Sequence, residues 1–76
     1  MEDIPMPDVA VLKEAALMEM PFGKYAKRPL MQLPVSYLEW FAKKGFPKSK
    51  LGMQMQIIYE IKLNGLEEML HHLLKK

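Results

Sequence analysis

The sequence predicts a small α+β domain, with three to four helices and a short two-stranded β-hairpin between helices one and two. Three observations carry that prediction. Apolar residues recur at helical spacing in four separate stretches. Proline, glycine and an Asn-Gly pair punctuate those stretches at Pro21, Pro34, Gly45, Pro47 and Asn64-Gly65. Residues 20–33 break the helical pattern, with Met20, Phe22 and Lys24 alternating ahead of a basic bend at Ala26-Lys27-Arg28-Pro29.

Residues 1–7 contain two prolines and read as a flexible arm, leaving 8–76 as a single compact domain. Asp8 is an N-cap for a first helix over 8–19, which must stop before Pro21 because a residue ahead of proline disfavours the helical region. Val9, Leu12 and Ala16 share its stripe, with Val11, Ala15 and Met18 beside it. The 20–33 segment is the proposed hairpin; two strands alone are marginal, so it must lean on the helices. Gly23, between two aromatics, marks a bulge or a place where another backbone or a ligand comes close. Pro34 opens the next helix, with Ser36 as a second candidate cap, and Gly45 closes it. Lys43 and Lys44 fall in its last turn, where the helix dipole favours cations.

The stretch from Leu51 to Leu63 is ambiguous, since every second residue is apolar, as in a strand. The helical stripe Leu51, Met55 and Ile58 fits as well. Helix is preferred, because a strand of about 13 residues is long and has no partner here. Ser49 caps its start and Asn64-Gly65 its end. A last helix follows, with Leu66, Met69, Leu70 and Leu73 apolar, an acidic first turn and Lys75-Lys76 at its end.

With 76 residues, such a domain buries roughly 60–65% of the surface of its unfolded chain, so its stability is marginal. Cysteine is absent, which removes disulfide staples, thiolate metal sites and a thiol nucleophile. Half of the residues are hydrophobic, enough for a core. The acidic N-terminus is unlike a secretion signal, and no apolar run approaches the ~20 residues of a membrane span. The expectation is a cytoplasmic protein with no membrane partner.

Charge is distributed unevenly along the chain. Residues 1–19 carry five acids and one base, residues 20–50 seven bases and one acid, and residues 51–76 three of each. A basic middle points to an anionic partner, or to an intramolecular pairing with the acidic first helix.

No catalytic constellation stands out, so the expectation is a protein that is not an enzyme, has no cofactor or metal, and acts on no small-molecule substrate. Ser36 and Ser49 are better explained as caps. His71 and His72 are adjacent on a helix and point apart, unlike zinc-binding pairs three or four residues apart. Glu60 interrupts an apolar stretch and reads as a structural ion pair. Gly23-Lys24 lacks the further glycines, the Ser or Thr and the helix of a phosphate loop.

Two binding readings remain. In the first, nucleic acid is the partner: Lys24, Lys27, Arg28, Lys43 and Lys44 meet phosphate, while Tyr25 and Tyr37 stack on bases. Phe22, Trp40 and Phe46 are assigned to the core, which needs large aromatics in so short a chain. In the second, another protein or a second copy of the chain binds a Met-rich third helix through Met53 and Met55, because methionine adapts to varied partners.

Four blocks carry a family resemblance: Met20-Pro21-Phe22-Gly23-Lys24-Tyr25; Leu33-Pro34 with Tyr37-Leu38 and Trp40-Phe41; Lys44-Gly45-Phe46-Pro47; and the run from Tyr59 to Leu66. Together they resemble a family of small bacterial proteins described as putative quorum-sensing-regulated virulence factors, over about residues 8–70. That resemblance implies a regulatory setting and no enzyme, cofactor or substrate. The family pattern places glycine at or next to position 27, where this chain has Ala26-Lys27-Arg28. A turn needing positive φ would be strained there. The Phe-Gly-Lys-Tyr segment followed by a Tyr-Leu-x-Trp helix is also similar to segments appended to some exonuclease-like proteins, an analogy that favours a nucleic-acid-related role.

Overall fold

A computed structural model describes residues 9–74. The proposed N-terminal arm, the Asp8 cap and Lys75-Lys76 lie outside the described residues. Four α-helices follow one another: α1 (Val9–Leu17), α2 (Val35–Lys44), α3 (Lys50–Leu63) and α4 (Glu67–Leu74), with a short 3-10 turn at Leu30–Gln32. Helix α3 is central, packing against α1, α2 and the 3-10 turn, while α1 also packs against α4. No helix among the described residues is long and apolar enough to cross a membrane.

The described residues contain no strand, so the α+β expectation with its β-hairpin is overturned: the fold is all-helical. One antiparallel bridge, Glu19 with Pro29, stands where two strands were expected. The backbone bonds explain its length. Leu30 N–H donates to Met18 C=O and Met20 N–H to Arg28 C=O, so Pro29 falls between bonded pairs and its missing N–H is not needed. On one side Leu17 belongs to α1 and Met31 to the 3-10 turn, so both chains leave the ladder. On the other side Lys27 N–H, rather than Arg28 N–H, donates to Met20 C=O at 2.6 Å. This is the bonding pattern of a G1 bulge, whose first residue is ordinarily a left-handed glycine. Lys27 holds that position with φ 69°, the conformation that the absent glycine would supply without strain.

Helix α1 stops two residues short of the expected 19, because Met18 and Met20 turn to bond with the 28–30 segment. Leu12, Ala15 and Ala16 bury one stripe of it. The side chain that anchors the following loop in the core is Met20, together with Leu30, Leu33, Leu38, Met55, Ile58 and Leu70, all fully buried. Phe22 and Trp40, assigned to the core from sequence, are instead 47% and 54% exposed. Phe46 is half-buried, its ring 6.1 Å from that of Tyr59.

The expected helix signals at Pro34 and Gly45 hold. Pro34 is the N-cap of α2, its carbonyl accepting from Tyr37 and Leu38, and Ser36 lies within the first turn. Gly45, with φ 106°, closes the helix. Helix rather than strand is confirmed over the ambiguous stretch: Met55, Ile58 and Ile61 are buried at three-residue spacing. Gly52 has a separate purpose inside α3. A Cβ there would lie 1.6 Å from the backbone oxygen of Pro47, so only a glycine lets the α2–α3 loop rest on the helix. Helix α3 ends in a Schellman motif, with Leu66 N–H bonded to Ile61 C=O and Gly65 N–H to Lys62 C=O. Lys62 then reaches Glu67 at the start of α4.

Candidate functional site: an aromatic and cationic surface

The loop over residues 20–28 lies against one face of α2. That face carries Tyr37, Trp40, Phe41 and Lys44, spaced at i, i+3, i+4 and i+7, while Leu38 points to the core. The loop contributes Phe22, Lys24 and Tyr25. Gly23 makes the close approach possible: a Cβ on it would stand 2.7 Å from the Tyr37 hydroxyl, and its φ of 83° suits glycine. The group that comes close to Gly23 is thus the Tyr37 side chain, in place of the backbone or ligand anticipated.

The rings form a continuous run. Tyr25 meets Tyr37 at 4.7 Å, Tyr37 meets Phe41 at 5.3 Å, and Phe41 meets Trp40 at 5.1 Å, each nearly edge-to-face. Phe22 joins from the loop side, 6.4 Å from Phe41. Such pairs contribute about 0.5–1.5 kcal/mol each beyond area burial, and two of them, Tyr25 with Tyr37 and Phe22 with Phe41, hold the loop to the helix. A cation stands at each end of the run. The Lys24 ammonium lies 5.6 Å from the Tyr25 ring centre, and that of Lys44 lies 5.7 Å from the Trp40 ring centre.

Among the described residues, salt bridges join Glu14 to Lys50, Glu39 to Lys43 and Lys62 to Glu67. None of them uses Lys24, Lys27, Arg28 or Lys44. The acidic first helix therefore meets the basic middle through Glu14 and Lys50, at 2.8 Å.

The structure gathers Lys24, Tyr25, Tyr37 and Lys44 into one surface. Lys27 and Arg28 are exposed at the bulge of the same loop. Lys43 is exposed on α2 at 3.9 Å from Glu39. The two candidate interface methionines separate: Met53 is 53% exposed, whereas Met55 is fully buried in the core. Phe22, Trp40 and Phe41 belong to the surface although sequence reasoning did not place them there. A signal existed for Trp40, which shares its helix face with Tyr37 and Lys44 rather than with Leu38.

Elsewhere, Glu60 is exposed and accepts a hydrogen bond from Gln56 at 3.4 Å, in place of the buried ion pair expected. It borders a cavity of about 180 Å³ between α1, α3 and α4, lined mainly by Leu12, Ile57, Ile61, Leu66 and Met69. The Asn64 side-chain amide donates to the Glu60 backbone carbonyl at 2.7 Å. His71 and His72 are both exposed.

Comparison with known proteins gives the same family as the four sequence blocks. The family model described as "putative quorum-sensing-regulated virulence factor" matches residues 8–73. The chain belongs to this family. The uncharacterised protein YpeB of Escherichia coli strain K12 is 51% identical over 63 residues, covering 82% of this chain and 88% of YpeB. The uncharacterised protein YpeB of Escherichia coli O157:H7 gives the same figures. No solved structure matches the chain. The family match takes in every residue of the aromatic and cationic surface, from Phe22 to Lys44.

Proposed function

We propose that this protein is a non-catalytic binding module of the bacterial cytoplasm and that its partner is nucleic acid, held on the surface formed by the 20–28 loop and α2. One observation carries the reading: a continuous run of rings ends in Lys24 on one side and Lys44 on the other, and neither cation is in a salt bridge among the described residues. Rings beside cations are how nucleic acid is held without sequence readout. Lys27 and Arg28 extend the cationic surface along the loop. The family description, "putative quorum-sensing-regulated virulence factor", supports a regulatory context for the module.

Titration of labelled oligonucleotides at two salt concentrations tests this. If Lys24, Lys27, Arg28 and Lys44 each meet a phosphate, the logarithm of the binding constant falls with the logarithm of salt at a slope of about −3. Failure to bind any oligonucleotide at about 50 mM salt refutes the proposal.

A second reading rests on Met53, exposed on α3. A protein partner or a second copy docking there gives a nearly salt-insensitive association. Sedimentation of the protein alone over a range of concentrations separates it from the first reading, since only self-association raises the mass.

A further inference from the structure

Within the run, the five rings are not equivalent. Tyr25, Tyr37 and Phe41 are half-buried and occupied in edge-to-face contacts with one another. Phe22 and Trp40 are about half exposed, and both touch Phe41, at 6.4 and 5.1 Å. The two open rings therefore share Phe41 as a neighbour, and their centres are separated by no more than those two distances combined. Resting on the nucleic-acid reading of this surface, we propose that its ligand is a single strand, two neighbouring bases of which stack on Phe22 and Trp40, with the phosphates between Lys24 and Lys44.

The assignment follows from what each group can reach. In a duplex, base faces are already stacked on one another, so half-exposed rings at a surface meet only sugar and phosphate. An unpaired strand offers a free face at every base. Each end of the surface also joins a cation to a ring: Lys44 stands over Trp40, and Lys24 stands over Tyr25 on the loop that carries Phe22. A phosphate and a base are supplied in that combination by every nucleotide. Tyr25 and Tyr37 become positioning residues that hold the loop, through Gly23, at the height of α2.

Trp40 is the sole tryptophan of the chain, so its fluorescence reports directly on the proposed stack. The full chain is titrated with oligothymidylates from the dinucleotide to roughly sixteen nucleotides, and with duplexes of the longer lengths. The expected result is saturable quenching by the single strands, with affinity rising at the shortest lengths, and at least tenfold weaker binding of duplex without quenching. Phe22→Leu, at a half-exposed position, weakens single-strand binding by about tenfold while the salt slope stays unchanged. Trp40→Phe, followed by anisotropy of a labelled oligothymidylate, keeps a stacking ring and costs less than Trp40→Leu. Lys24→Ala lowers the salt slope by about one. Equal binding of duplex and single strand with Trp40 fluorescence unmoved overturns this inference and leaves the nucleic-acid reading standing. Absence of binding to either overturns both.

Discussion

Gly52→Ala separates the tertiary logic of this fold from helix propensity. By propensity alone, alanine in the interior of α3 stabilises by about 1 kcal/mol relative to glycine. The structure reverses that sign. The added Cβ would lie 1.6 Å from the Pro47 carbonyl oxygen and 2.7 Å from its carbonyl carbon. Both are backbone atoms, so no rotamer change relieves the clash and the α2–α3 loop must move by more than an ångström. Overpacking of this kind costs about 1–3 kcal/mol and sometimes more. A backbone clash at 1.6 Å falls at the upper end, about 2–3 kcal/mol, so set against the propensity gain the net effect is a loss of about 1–2 kcal/mol. For a domain of this size each kcal/mol moves the midpoint by roughly 4–8 °C. Thermal unfolding followed by circular dichroism therefore shows Gly52→Ala melting about 5–15 °C below the parent chain. Met53→Ala, one residue on and exposed, is the control, with a change within about 0.5 kcal/mol. A Gly52→Ala variant melting at or above the parent temperature refutes the placement of the loop on α3.

Two further substitutions probe local strain and burial. Lys27→Gly relieves a left-handed lysine at the bulge; the gain of about 1–2 kcal/mol in the folded state exceeds the added freedom of the unfolded chain, about 0.4–1 kcal/mol, so the melting point rises by a few degrees. An unchanged or lower melting point means that the turn does not hold φ 69°. Gln54, 3% exposed, buries a side-chain oxygen that has no hydrogen-bond partner among the described residues. Gln54→Met keeps the shape and removes the unpaired oxygen, raising stability by about 1 kcal/mol in urea titration; a lower midpoint shows that the oxygen is satisfied in solution.

The punctuation of the chain was legible because it is local. Pro34 and Gly45 bound α2, and Asn64-Gly65 ends α3, for reasons contained in the φ preferences of those residues. The hairpin was misread because alternation at Met20, Phe22 and Lys24 cannot tell a strand from a loop that pins one side chain in the core and exposes the next. Met20 is buried and Phe22 is half exposed, yet a single bridge is all that the backbone forms. The candidate site was half legible. Lys24, Tyr25, Tyr37 and Lys44 could be picked out by type, whereas Phe22 and Trp40 were given to a core already filled by Met20, Leu30, Leu33, Leu38 and Leu70.

By itself the sequence determined the helical segments, the glycine ends of α2 and α3, the family and the basic character of residues 20–50, because propensity, turn chemistry and charge act between near neighbours. Tertiary structure alone decided which aromatics face out, why position 52 must be glycine, and that Met53 and Met55 part company. Each of these depends on what a distant backbone places beside the residue: the Tyr37 hydroxyl at Gly23, the Pro47 carbonyl at Gly52, and the packing of α1 and α2 around one face of α3.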